Sequence, residues 1–179
     1  MGTRNLTMVI NDSETKVAQY GQSDGYPEGQ GKIVLEFLQN CDLKKFKETL
    51  KEVVFIKPEK DEKIERKPEL NEETASKVLK LIYERKVTGL YDSSEFAKDS
   101  LYCEWAYVID LDKGVLEVFR GYNKEPLTKD DRFYDSEDKD KKYYPIRIIK
   151  SYPLDKLPEI EQFIKDLTPD KSKDQELSL

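Results

Sequence analysis

The residues best placed to do chemistry gather in one stretch, Tyr20-Gly21-Gln22-Ser23-Asp24-Gly25-Tyr26-Pro27-Glu28-Gly29-Gln30-Gly31, which holds four of the eight glycines. Gly permits positive φ and close backbone approach. Pro27 presets its own φ and turns Tyr26 toward an extended shape. Gly29 and Gly31 would bring open backbone N–H groups to the start of a helix, and helix N-termini receive anions. Asp24 and Glu28 repel phosphate and suit a ribose diol, an amino group or a cation. Tyr20 or Tyr26 could stack on a base, and Arg4 could meet a phosphate or pair with Asp24. Asn5, Gln22, Gly25 and Gln30 complete a candidate ligand-binding set of Arg4, Asn5, Tyr20, Gln22, Asp24, Gly25, Tyr26, Gly29, Gln30 and Gly31. The spacing is neither a Walker loop nor a dinucleotide fingerprint. The same residues also describe a rigid turn with a carboxylate capping a helix, and the sequence leaves the two readings level.

The chain contains no histidine. That excludes Ser-His and Cys-His nucleophile pairs and every His-ligated metal site. Cys41 and Cys103 are too few for a four-thiolate zinc site or a disulfide scaffold, and read as reduced thiols of a cytoplasmic protein. Carboxylates, Lys, Tyr or a thiol activated without imidazole are the remaining catalysts. The expectation is therefore binding rather than catalysis, with no catalytic residue, cofactor or metal assigned.

Charged residues make up 38% of the 179 and hydrophobic ones 37%, with a net charge of −6 and both signs interspersed. That argues against general nucleic-acid or membrane binding and leaves room for a basic protein partner. No apolar run is long enough to span a bilayer, and no secretory signal is read. Met1-Gly2 opens like a myristoylation site, but Leu6 stands where Ser or Thr is wanted.

The elements that must position the stretch follow from periodicity. Asn5–Ile10 alternates as a strand with Leu6, Met8 and Ile10 on its richer apolar face. Asn11-Asp12-Ser13 turns the chain, and Lys16–Gln22 returns into the Gly-rich loop. Lys32–Gln39 reads as a core helix. Asp42 caps a second helix with Leu43, Phe46, Leu50 and Val53 on one face; alternatively Val53–Ile56 leaves the helix and extends as a short strand. Asn71, Glu72 and Glu73 start a helix carrying Ala75, Val78, Leu79, Ile82 and Tyr83. A turn-rich passage follows, with a short helix around Glu95–Lys98. Leu101–Leu111 and Val115–Tyr122 form a hairpin about Asp112-Lys113-Gly114, with Cys103 and Trp105 in the core. Tyr143–Ser151 is a fifth strand, and a last helix carries Ile160, Phe163, Ile164 and Leu167. These elements predict a single α+β domain over 1–167, a mainly antiparallel sheet of about five strands with three to four helices packed on it. Residues 57–70 and 123–142 read as charged surface loops, the latter pinned by Phe133-Tyr134, and 168–179 as a disordered tail.

Two passages carry a resemblance. Gly2-Thr3-Arg4-Asn5-Leu6-Thr7, followed by Val17 to Gln22 and Asp24-Gly25-Tyr26-Pro27-Glu28-Gly29-Gln30-Gly31, resembles small uncharacterised proteins of bacteriophages, prophages and some fungi. Glu104 to Leu111 with Gly114 to Val118 is similar to their later hairpin. One departure stands at Ser23, where the family pattern usually has Trp. The resemblance implies a mobile-element setting, in which a small cytosolic protein blocks a host defence function. Three readings result. The first is a binding protein that sequesters a small polar, nucleotide-derived ligand at residues 20–31. The second is an N-terminal-nucleophile-like hydrolase, which would need the chain cut before Thr3. The third is an inhibitor that binds a host protein through its charged loops. Oligomeric state stays open.

Overall fold

A computed structural model describes residues 2–57 and 71–168. The chain runs β1 (Asn5–Asn11), β2 (Glu14–Gly21), a π-helical turn (Pro27–Gly31), α1 (Lys32–Asn40), α2 (Leu43–Leu50), β3 (Val54–Phe55), α3 (Val78–Tyr83), β4 (Gly89–Leu90), β5 (Trp105–Asp110), β6 (Val115–Arg120), β7 (Arg147–Pro153) and α4 (Ile160–Leu167). The main sheet has the order β2-β1-β5-β6-β7. Three of its four ladders are antiparallel, and β1–β5 is parallel. The domain is therefore the expected α+β fold, with one refinement. The two hairpins meet through a parallel pair, and a parallel pair needs a long crossover. Residues 22–104 supply it and carry α1, α2 and α3.

The two sheet faces are covered unequally. Val9, Val17, Tyr107, Ile109, Leu116 and Val118 pack with Val34, Leu35, Leu38, Phe46, Leu50, Leu79, Ile82 and Phe163 from the helices. Leu6, Met8, Ala18, Ala106, Val108, Phe119 and Ile146 form a smaller core with Ala97 and Cys103. The richer apolar face of β1 thus lies away from the helices. Cys103 and Trp105 are both buried, in different cores.

Element ends differ from the sequence expectation for identifiable reasons. Asp42 caps α2 as expected, its carboxylate accepting the Lys44 and Lys45 N–H groups. The side-chain Oδ1 of Asn71 accepts the Glu73 N–H at 2.8 Å. The helix expected from there is interrupted, because Ala75 takes φ 44° and a 3₁₀ turn fills Ala75–Lys77 before α3 begins. The β5–β6 ladder spans only Trp105–Asp110 and Val115–Arg120. The fifth strand starts at Arg147, after Pro145, which has no N–H to give a ladder. Just before it, Tyr144 and Ile146 donate instead to the Asn123 and Ala97 carbonyls.

The 123–142 segment is anchored to the sheet. Arg132 donates to Asp110 Oδ2 at 2.7 Å and to Glu117 Oε1 at 2.6 Å, and Phe133 meets Phe119 edge-on at 5.0 Å. Tyr134, the other half of the expected pin, stays exposed. Apart from Lys57, the charged loop at 57–70 lies outside the described residues, as does the tail beyond Thr168. Among the described residues no helix is long and apolar enough to cross a membrane.

Candidate functional site

The loop after β2 is pinned from below. Gly25 N–H donates to the Thr3 carbonyl at 2.9 Å, and Tyr107 donates its hydroxyl to the Gly25 carbonyl at 2.7 Å. Asn5, fully buried, donates its amide to the Thr3 and Ser23 carbonyls. Gln30, also buried, reaches the Ser23 carbonyl and receives both the N–H and the hydroxyl of Ser76. Gln22 N–H closes on the Glu72 carbonyl at 2.9 Å.

The glycines serve this packing. A Cβ at Gly29 would stand 2.2 Å from the Asp24 carbonyl oxygen, and one at Gly31 would stand 2.8 Å from the Tyr107 hydroxyl. The positive φ in the loop falls on Asp24, at 59°, a conformation that Asp tolerates better than most residues. The expected open N–H groups at the helix start are occupied. Gly29 and Gly31 donate to the Tyr26 carbonyl, and Gln30 donates to the Asp24 carbonyl. The anion site read from Gly29 and Gly31 is corrected accordingly, since the chain turns one π-helical cycle there and satisfies these groups itself.

The ten sequence candidates separate. Asn5, Gly25, Gln30 and Gly31 are buried in the scaffold under the loop. Tyr20 packs edge-on against Phe96 at 5.0 Å, and exposed Arg4 lies over the Tyr102 ring at 5.4 Å. No ion pair among the described residues joins Arg4 to Asp24; Asp24 instead accepts the Tyr26 hydroxyl at 3.0 Å. That hydrogen bond, with the nearby carboxylate charge, holds the Tyr26 hydroxyl above its ordinary pKa. Of the ten, only Tyr26 lines a cleft beside the loop.

That cleft measures about 290 Å³ and is lined by Thr3, Tyr26, Pro27, Glu28, Glu104, Trp105, Arg120, Leu167 and Thr168. Arg120 lies over the Trp105 ring at 4.3 Å, and its guanidinium donates to the Glu104 carbonyl at 3.4 Å. It takes part in no ion pair among the described residues. Burial pushes the guanidinium below its ordinary pKa, with Glu104 and Tyr107 pulling the other way. Sequence reasoning missed Arg120 and Glu104. The hairpin turn held part of the signal: closed over the three residues Asp112-Lys113-Gly114 it would set Trp105 opposite Gly121, whereas the observed turn also takes in Leu111 and sets Trp105 opposite Arg120.

A larger cleft of about 560 Å³ opens between α1 and α3 over Ile33, Phe37, Cys41, Lys45 and Tyr83. Burial pushes the Cys41 thiol up to about 11, and the buried Cys103 thiol is pushed up further. Both are protonated at neutral pH and are poor nucleophiles. Among the described residues no group of three His, Cys, Asp or Glu could hold a metal ion. Comparison with known proteins brings no matching family model, no matching curated protein and no matching solved structure.

Proposed function

We propose that this protein is a non-catalytic binding protein of phage-like, mobile-element type. In this reading it sequesters a small planar anion of nucleotide type and thereby blocks a host defence function. The ligand lies in the cleft between the outer side of the Gly-rich loop and the Trp105–Arg120 pair. One observation carries the reading. Arg120 is a half-buried cation, its guanidinium carbon 4.3 Å from the centre of an indole ring, in no ion pair among the described residues, and lining a cleft. A guanidinium so held is preorganised for phosphate or carboxylate. Tyr26 supplies an exposed ring for a base, and Glu28 and Glu104 supply acceptors for a diol. The loop glycines then act one step back, keeping Tyr26-Pro27-Glu28 in place as the wall.

Native mass spectrometry of freshly purified protein, followed by thermal shift with nucleoside mono- and diphosphates, tests the proposal. A bound small molecule, or a nucleotide-dependent rise in melting temperature that Arg120→Gln abolishes, supports it. The absence of both, or a shift that survives Arg120→Gln, overturns it.

One observation favours the hydrolase as a second reading: Thr3 lines the same cleft as Glu28, Glu104 and Arg120. That enzyme requires a mature chain beginning at Thr3, which intact mass measurement detects.

A further inference from the structure

Outside the lining of the cleft, three tyrosine rings each have a cation over them; Tyr102 and Tyr122 are exposed and Tyr143 is half-buried. Tyr122 and Tyr143 stand 5.2 Å apart, and Lys124 lies 5.3 Å from the first ring and 5.9 Å from the second. Lys142 lies 5.7 Å from Tyr143. Arg4 lies over Tyr102. Tyr122 is 62% exposed and Tyr102 51%. The backbone brings these groups to one end of the sheet, because Gly121 N–H donates to the Glu104 carbonyl and Tyr122 N–H to the Ser100 carbonyl.

The support under the tyrosines is rigid. Asn123 is buried and fully engaged: its N–H donates to the Ser100 hydroxyl, its amide to the Pro145 carbonyl, and its carbonyl groups accept the Glu125 and Tyr144 N–H groups. Tyr122 itself sits at φ 60°, where a bulky L side chain is a conformational outlier. The fold holds a large aromatic side chain, in a conformation that disfavours it, out in solvent. Neither Lys124 nor Lys142 belongs to an ion pair among the described residues, so their charges are not consumed by carboxylates.

We infer that this aromatic–cation ridge, formed by Tyr102, Tyr122 and Tyr143 with Arg4, Lys124 and Lys142, binds a short run of single-stranded nucleic acid. Bases stack on exposed tyrosine faces without regard to sequence, and the cations meet the phosphates between them. The net charge of −6 rules out broad electrostatic attraction, so the binding is local and strongly salt-dependent. This inference is independent of the Arg120 cleft, and neither depends on the other.

Fluorescence anisotropy of a labelled oligothymidylate with the full chain at low salt is the test, with a labelled polyglutamate peptide as the comparison. The oligonucleotide is expected to bind and the peptide not. The log–log salt slope is expected near −2 for three phosphate contacts, at about 0.7 per contact. Lys124→Gln with Lys142→Gln should flatten that slope by about 1.4. Tyr122→Asn is the discriminating variant. Asn adopts positive φ more readily than Tyr, so the melting temperature should hold or rise while affinity falls about tenfold, the loss of one stacked base. No oligonucleotide binding, binding that these variants leave unchanged, or a preference for the acidic peptide overturns the inference.

Discussion

Removing one oxygen atom tests how the loop is held. Tyr107 lies at the centre of the sheet, opposite Thr7 on β1 and Val118 on β6, and its hydroxyl meets the Gly25 carbonyl at 2.7 Å. Burial holds that hydroxyl well above the ordinary phenol pKa, so it remains a donor across the working pH range. Tyr107→Phe keeps the ring and its stacking on Trp105, 6.5 Å between centroids, and deletes the tie. Gly25 is buried, so its carbonyl gains no easy replacement from water. An unpaired buried acceptor costs about 1–3 kcal/mol. At about 2–4 °C per kcal/mol for a domain of this size, a mid-range loss lowers the melting temperature by roughly 4–8 °C. Guanidinium chloride unfolding of wild type and variant measures the same quantity from the midpoint. Gly31→Ala supplies the cross-check. Its new Cβ would lie 2.8 Å from the Tyr107 hydroxyl oxygen, the nearest atom, and 3.0 Å from Cε1 and Cζ. Deleting that oxygen relieves the worst contact, so the double variant should lose less stability than the two singles added together. An unchanged midpoint in Tyr107→Phe, or strict additivity in the pair, would refute the tie between sheet and loop.

Other substitutions probe the same architecture. Thr7 is fully buried and its hydroxyl has no hydrogen-bond partner among the described residues, so Thr7→Val should stabilise the protein by about 1 kcal/mol in thermal melts; a loss would show the hydroxyl to be engaged. Asp24 sits at φ 59° and is exposed, so Asp24→Gly should be near neutral while Asp24→Ala costs about 1 kcal/mol; equal effects would deny the backbone argument. Burial opposes the charge on Asp110, yet the Lys113 N–H and Arg132 hold its carboxyl below the ordinary value. A carboxyl lowered by folding adds stability above its unfolded pKa, about 3.9, and that stability is lost as pH falls through the folded value. Asp110→Asn should therefore lower the unfolding free energy from denaturant titration at neutral pH, by about 1–3 kcal/mol, and flatten its fall below about pH 4. A parallel downward shift at every pH would show that Asp110 does not titrate with folding.

Local pattern determined the elements of this protein. Alternation marked β1 and β5, and the turns that follow them marked β2 and β6 as return strands. Asp42 announced the start of α2, and Asp112-Lys113-Gly114 announced the turn between β5 and β6. These signals are readable because each depends on residues within a few positions of one another. Tertiary packing decided the rest. The parallel joining of β1 to β5 depends on contacts about 100 residues apart, which no local period records. Ala75 is driven to positive φ against the end of β2, where a Cβ on Gly21 would lie 2.4 Å from its own, and the expected helix is shortened there. The Gly-rich stretch was legible as exceptional but not in its role. Its N–H groups could face a ligand or its own carbonyls, and only the folded chain, with Tyr107, Asn5 and Gln30 beneath it, closes them inward. The candidate cleft accordingly passed to Trp105 and Arg120, which the sheet places beside the loop although they follow it in sequence by roughly 75 and 90 residues.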